Sequence, residues 1–160
     1  MTPSSRNPFH LLLLVPVPWV FVLTYLIGVG LERVHRTYIG ASPLLGVQIF
    51  GGVLFLIGAV LAGWSLILFR KARTTTIPGQ ASSQLVTWGP YRASRNPMYI
   101  SLSLAYLGEA GLLKQAWPIL LLPLTLCYLN WVVIPLEETR LTEVFGQTYL
   151  DYKARVRRWI

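Results

Sequence analysis

The chain has little charge and almost no cysteine. Charged side chains make up 12% of its 160 residues and only six are acidic, whereas soluble domains carry about 25%. The one cysteine, Cys127, lies in an apolar stretch and cannot form an intrachain disulfide, so it reads as a small apolar filler. These shortages exclude a disulfide-stapled secreted domain and argue against an ordinary soluble one.

The sequence also lacks the motifs of several enzyme classes. It contains no glycine-rich phosphate loop after a strand pattern and no dinucleotide-binding fingerprint. No arrangement of Ser, His and Asp fits a hydrolase triad. His10 and His35 are far apart in sequence and predict no metal site. We therefore expect neither a soluble nucleotide-binding fold nor metal chemistry.

Long apolar runs are present instead. Residues 11–31, 37–69 and 115–136 carry no charged side chain. Runs of more than about 18 mostly apolar residues are typical of transmembrane helices. The first run is too long for a signal-peptide core, and no small-residue cleavage site follows it. The pattern predicts an all-α polytopic membrane protein.

Four membrane helices follow from these runs and from a shorter one that begins after a polar arm. We place them at about 10–31, 44–69, 97–113 and 117–136. The chain then forms one domain over 1–160. Residues 1–73 hold two spans, and residues 74–160 hold the arm, a helical hairpin and an amphipathic C-terminal helix. Five glycines in the second helix predict close packing of helices, and their spacing is not that of a dimer motif.

Basic residues are concentrated in the arm and in the tail. If both face the cytoplasm, eleven of the 14 Lys and Arg residues lie inside, and Arg33, Arg36 and Lys114 lie outside. Basic residues collect in cytoplasmic loops, so this orientation is the expected one. The same rule accounts for the net charge of +8, and no nucleic-acid partner is predicted.

The arm, residues 84–99, is polar and rich in turns, and it ends in Asn96-Pro97. Asn can cap the free N–H groups of a helix, and Pro suits the first helical position. A plain membrane-helix start with Arg95 and Tyr99 as interface anchors would explain the segment. A ligand-binding arm would explain it equally well.

Glu137 and Glu138 end the last apolar run. Carboxylates at this position are costly unless they are solvated or paired. They could mark a simple interfacial stop, or one of them could face a cavity and bind a cation or ribose hydroxyls. Adjacent helix positions point in different directions, so one Glu could face the site while the other pairs with Arg140 or Arg95.

These motifs occur in a specific order. The pattern Leu-Val-x-x-Gly-Pro-Tyr-Arg-x-x-Arg-Asn-Pro-Met-Tyr is followed by a hairpin and then by Glu-Glu-x-x-Leu-x-x-x-Phe-Gly-x-x-Tyr-x-x-Tyr-x-x-x-Val-Arg-Arg-Trp. Over about residues 80–160 the chain resembles the isoprenylcysteine carboxyl methyltransferase family and its relatives, the phospholipid N-methyltransferases. The resemblance implies a membrane-embedded enzyme that uses S-adenosylmethionine and acts on a lipophilic acceptor.

The resemblance also implies the residues of the site. Cofactor contacts are expected in the region that starts at Ser83. The residues expected to make them are Gln84, Leu85, Val86, Tyr91, Asn96, Pro97, Met98, Tyr99 and Glu137. Asn96 stands where the family usually has His, and it cannot titrate. Prenylcysteine-specific members carry an Arg where this chain has Val133, so Asn130 and Arg95 are the candidates for substrate contact.

Three functions remain open from the sequence. Carboxyl methylation of a lipophilic acceptor, like that of isoprenylcysteine, is the leading interpretation, and it needs no general base. Methylation of a phospholipid or another small molecule at nitrogen or sulfur is the alternative. An amine acceptor would lose a proton, and Glu138, Tyr99 or water could take it. A non-catalytic lipid-binding membrane protein is the second alternative.

Overall fold

The computed structural model describes residues 16–35, 45–72 and 84–160, and within these ranges the chain contains helices and turns but no strand. The helices are α1 Val17–Val34, α2 Leu45–Lys71, α3 Pro97–Leu112, α4 Ala116–Tyr128, α5 Ile134–Phe145 and α6 Gln147–Arg155. A 3-10 turn, Gly89–Arg92, precedes α3, and a π-helical segment, Leu129–Val133, joins α4 to α5. The predicted helix start near His10 and the predicted contact Ser83 lie outside the described residues.

Within the described residues, three helices are long and apolar enough to cross a membrane: α1, α2 and the continuous helix Ala116–Phe145. The prediction of an all-α membrane bundle is confirmed. Helix α3 has 16 residues and is shorter than the roughly 20 residues of a full span. The predicted end of the last helix near 136 is wrong, because the helix continues to Gly146, whose positive φ of 52° breaks it.

Small residues allow α2 and α3 to pack closely. In α2, buried small residues recur every seven positions at Gly51, Gly58 and Ser65. A Cβ atom added at Gly58 would lie 2.7 Å from the backbone N of Ala105 and 2.7 Å from the carbonyl O of Ser101. A seven-residue spacing keeps such a seam on one side of a helix. The glycines therefore serve packing within the chain, as the sequence predicts.

Helix α4 packs against α1, which caps it. Glu32 Oε2 accepts hydrogen bonds from the backbone N–H groups of Ala116 (2.9 Å) and Trp117 (3.0 Å). These N–H groups lie in the first turn of α4, where no intrahelical acceptor exists, and the carboxylate also complements the helix dipole. The hydroxyl of Tyr25 donates to Gln115 Oε1 at 2.9 Å. Two side chains of α1 thus hold the start of α4.

Replacing Glu32 by alanine should remove this cap. We expect the free energy of unfolding to fall by about 1 kcal/mol, as for other helix caps. Thermal unfolding of the detergent-solubilised protein would measure the change. Arg33→Ala, which alters the adjacent exposed residue, is the matched control. Equal midpoints for the two variants would contradict the capping role of Glu32.

The π-helical segment is explained by Pro135. The backbone N–H of Ile134 donates to the carbonyl of Leu129, five residues earlier. Proline has no N–H, and its ring would clash with the carbonyl four residues before it in a regular α-helix. The shifted register avoids the clash, but Pro135 cannot donate to the carbonyl of Asn130. That carbonyl therefore needs a partner from elsewhere in the fold.

Candidate functional site

Glu138 lies at the centre of a cluster of three cations. Its carboxylate is 2.8 Å from Arg95 Nη2, 2.8 Å from Lys153 Nζ and 3.1 Å from Arg158 Nη2. Glu138 is only 6% exposed. A buried carboxylate is tolerated when cations and hydrogen bonds compensate for lost water. Here the cations come from the arm, from α6 and from the residues after α6.

Arg95 binds the C-terminal segment as well as Glu138. Its Nη1 donates to the carbonyl oxygens of Lys153 (2.8 Å) and Val156 (3.2 Å). Its backbone N–H donates to the carbonyl of Arg157 at 2.9 Å. This predicted substrate contact therefore lies in a network within the protein. The Nε of its guanidinium finds no acceptor among the described residues.

Asn96 is also turned toward the C-terminal segment. Its Nδ2 donates to the carbonyl of Arg158 at 2.9 Å, and its backbone N–H donates to Ser94 Oγ at 3.0 Å. Asn96 occupies the N-cap position of α3, and Pro97 follows in the first turn as predicted. The predicted cap bond from the Asn96 side chain is wrong, because its amide is directed to Arg158.

Asn130 is held by the last residues of the chain. Arg158 Nη1 donates to the carbonyl oxygen and to the Oδ1 of Asn130, each at 3.2 Å. Trp159 Nε1 donates to the same Oδ1 at 3.1 Å. Arg158 therefore supplies the donor that Pro135 cannot. Asn130, which the sequence predicts to contact substrate, lies in the π-helical segment and contacts Arg158.

Glu137 has different surroundings from its neighbour. The hydroxyl of Tyr99 donates to Glu137 Oε1 at 2.5 Å. None of the ion pairs formed within residues 16–35, 45–72 and 84–160 includes Glu137. The two carboxylates are thus separated as the alternation of helix positions predicts, with Glu138 paired to Arg95. Glu137 is the carboxylate that retains capacity for a ligand.

The arm packs over the end of α2 and is held by α6. Val86 and Tyr91 are buried together with Leu68, and the Tyr91 ring meets Phe69 edge to face, with centroids 5.5 Å apart. The hydroxyl of Tyr152 donates to the carbonyl of Tyr91 at 2.7 Å. Burial raises the pKa of Tyr152 to about 12, so this hydroxyl remains a donor at neutral pH.

Tyr91 also lies near the carboxylate of the candidate site. Burial is the main cause that raises the pKa of Tyr91 above its ordinary value, and Tyr152 and the charge of Glu137 add to it. Glu137 is thus within electrostatic range of Tyr91, and Tyr99 is within hydrogen-bond distance of Glu137. The structure therefore brings Tyr91, Tyr99 and Glu137 into one region.

For the other predicted cofactor residues, the structure shows the degree of burial. Pro97 is buried and Met98 half-buried in the first turn of α3. Gln84 is exposed, Leu85 is half-buried and Val86 is covered by α2. These three residues form an extended segment that leads into the 3-10 turn. Their predicted cofactor contacts remain predictions.

Sequence reasoning missed the contribution of the chain end. The sequence predicts an amphipathic C-terminal helix. In the structure, four residues near the chain end bind the arm and the helix that carries the acidic pair: Tyr152, Lys153, Arg158 and Trp159. The signal available was the Val-Arg-Arg-Trp pattern together with a buried Glu that needs cations. Spacing alone does not show which of the basic residues turns inward.

Together, the fold and site define an all-α membrane protein with a polar arm, two tyrosines and an unpaired carboxylate at one end of a helix bundle. The profile of the phospholipid methyltransferase family matches residues 47–148, which is well over half of the chain. The chain belongs to this family, and the family supports a methyltransferase activity in a membrane. No curated protein and no solved structure matches the chain.

Proposed function

We propose that the protein transfers a methyl group from S-adenosylmethionine to a lipophilic acceptor in the bilayer. The contact between Tyr99 and Glu137 carries this proposal. The arm that carries Tyr91 packs against the apolar helix α2 in the same part of the molecule. A polar cofactor can reach this region from the aqueous side, and a lipid can reach it from the membrane. By the distribution of basic residues, we place the site on the cytoplasmic side.

The residues present fit the cofactor. A carboxylate such as Glu137 can accept hydrogen bonds from ribose hydroxyls and favours a cationic ligand. The Asn96 amide donates to a carbonyl, which leaves its Oδ1 as an acceptor for an amino or ammonium group. Bound S-adenosylmethionine would supply a methyl group activated by a sulfonium. The chain itself orients the reactants and, through the buried Val86 and Tyr91, excludes water.

The distribution of charge favours a lipid amine as the acceptor. Three cations around Glu138 leave two net positive charges, and the side chains of Lys153 and Arg158 are 40% and 30% exposed. The adjacent Glu137 provides a carboxylate. A headgroup that contains both a phosphate and an amine matches this pair of opposite charges.

The same arrangement supports different roles for the two carboxylates. Glu138 is fully engaged with cations, which supports a structural role for it. Glu137 binds the Tyr99 hydroxyl and is the better placed group to take the proton that an amine must lose. Tyr99 would orient that carboxylate through their hydrogen bond.

Glu137→Gln and Tyr99→Phe should weaken cofactor binding about 10- to 100-fold, because each removes a charge-assisted hydrogen bond or the charge itself. Titration calorimetry with S-adenosylmethionine and protein in nanodiscs would measure this. Glu143→Gln, at an exposed position of the same helix, is the control. Wild-type protein that binds no cofactor would overturn the proposed activity, and unchanged affinity in both variants would overturn the proposed site.

The acceptor can be identified from the product. Protein incubated with methyl-labelled cofactor and a lipid extract should yield label in a headgroup that survives mild alkali, detected by mass spectrometry. A base-labile methyl ester would instead support a carboxylate acceptor. Absence of transfer from cofactor that binds would support the non-catalytic lipid-binding alternative.

A further inference from the structure

We propose that residues 156–160, here termed the C-terminal strap, hold the arm in place over the site, with Arg158 as the positioning residue that fastens them. This inference rests on the proposed function for its effect on the cofactor. Its mechanical part, the attachment of the arm, depends only on the contacts described here.

The strap binds the arm through its backbone. Hydrogen bonds from the arm reach three successive carbonyls of the strap. Arg95 Nη1 donates to Val156, the Arg95 N–H donates to Arg157, and Ser94 Oγ donates to Arg158 at 3.2 Å. The Asn96 amide shares the last of these acceptors. Backbone carbonyls accept these hydrogen bonds. The bonds therefore depend on the backbone path of the strap more than on its side chains.

The side chain of Arg158 fastens the strap to the helices. Its Nε and Nη2 donate to the two oxygens of Glu138 at 3.2 and 3.1 Å, a two-point contact that suits a guanidinium. Its Nη1 donates to Asn130 in the π-helical segment. One residue therefore joins α5 and the π-helical segment through its guanidinium, and the arm through its carbonyl.

The position of the strap matters for the candidate site. Asn96, which the strap binds, immediately precedes α3, and Tyr99 lies in the first turn of that helix. A shift of the arm would therefore move Tyr99 relative to Glu137 on α5. Small misplacements of binding and reacting groups are costly in transfer reactions. The strap thus sets the position of Tyr99 relative to Glu137, although no residue of the strap belongs to the proposed site.

Arg158→Ala tests this inference, with Arg157→Ala as the matched control because the Arg157 side chain is exposed. Hydrogen–deuterium exchange should show amide exchange in residues 84–96 raised about tenfold in the Arg158 variant, without a change in α1 or α2. Cofactor affinity should fall by about tenfold, the equivalent of roughly one hydrogen bond lost. Arg158→Lys should be intermediate, because Lys cannot make the two-point contact.

Ser94→Ala provides a second variant that removes one bond between arm and strap and leaves Glu138 paired. It also removes the acceptor of the Asn96 N–H, so the Asn96 backbone amide is left out of the comparison. The variant should raise exchange in the arm by a few-fold. Wild-type exchange in the arm of both Arg158→Ala and Ser94→Ala would overturn the strap. Loss of protection throughout the bundle in Arg158→Ala, with no change in Ser94→Ala, would also overturn it and assign Arg158 to general stability. If amide exchange in the arm rises in both variants but the wild-type protein binds no cofactor, the proposed function is overturned and the role of the strap is supported.

Discussion

Replacing Glu138 by alanine is expected to lower the free energy of unfolding by about 3–5 kcal/mol, the range seen when one partner of a buried ion pair is removed. The variant would leave Arg95, Lys153 and Arg158 close together without the carboxylate that all three contact. Of the three cations, Arg95 would be the most costly to leave without a carboxylate, because its side chain is only 10% exposed. Like charges at this distance also repel each other.

Unfolding midpoints in detergent, followed by circular dichroism, would measure this loss. Glu143→Ala removes an exposed carboxylate from the same helix and should change stability by less than about 0.5 kcal/mol. Glu138→Gln should lie between the two, because an amide oxygen can still accept hydrogen bonds from the guanidinium groups. A Glu138→Ala variant as stable as Glu143→Ala would contradict the cluster.

Replacing Gly58 by alanine is expected to destabilise the bundle by about 3 kcal/mol, at the upper end of the range for overpacking. The new methyl group would lie 2.7 Å from backbone atoms of both Ala105 and Ser101. Backbone atoms cannot rotate away as a flexible side chain can, so α2 and α3 would have to separate. The cost should appear as lost packing along their contact.

Gly63→Ala is the control within the same helix. No atom of the described part of the chain lies within 4 Å of a Cβ placed there, and alanine favours a helix over glycine by about 1 kcal/mol. The two variants should therefore change the unfolding free energy in opposite directions, which a denaturant titration in mixed micelles can resolve. Equal destabilisation by both would show that helix packing does not distinguish the two glycines.

The α2–α3 seam also illustrates the limit of sequence patterns. The five glycines of α2 predict close packing. Gly51 and Gly58 face α3, whereas no atom of the described residues lies within 4 Å of a Cβ added at Gly46 or Gly63. Composition identifies a helix that can be approached closely. Only the orientation of the helix against its neighbour decides which glycines are used.

For Glu137 and Glu138 as well, the sequence predicts part of the arrangement and the fold decides the rest. Alternating directions along a helix predict that the carboxylates are separated, and the sequence places Arg95 among the possible partners. The assignment of Glu138 to three cations and of Glu137 to Tyr99 arises from where the fold brings the arm, α3, α6 and the residues after α6. Lys153 and Arg158 are 15 and 20 positions from Glu138, and Arg95 is 43 positions away, so no helical periodicity connects them to the pair.

By itself, the sequence determined the all-α membrane bundle, the start of α3 at Pro97 and the methyltransferase family. These properties follow from local hydropathy, backbone chemistry and motif order, which act over a few residues or survive as patterns. The tertiary structure alone decided that the last long helix continues past residue 136 to Phe145 and that Arg158 caps the carbonyl left open by Pro135. It also decided that the last residues hold the arm, because hydrogen bonds between distant segments depend on where the folded chain brings them.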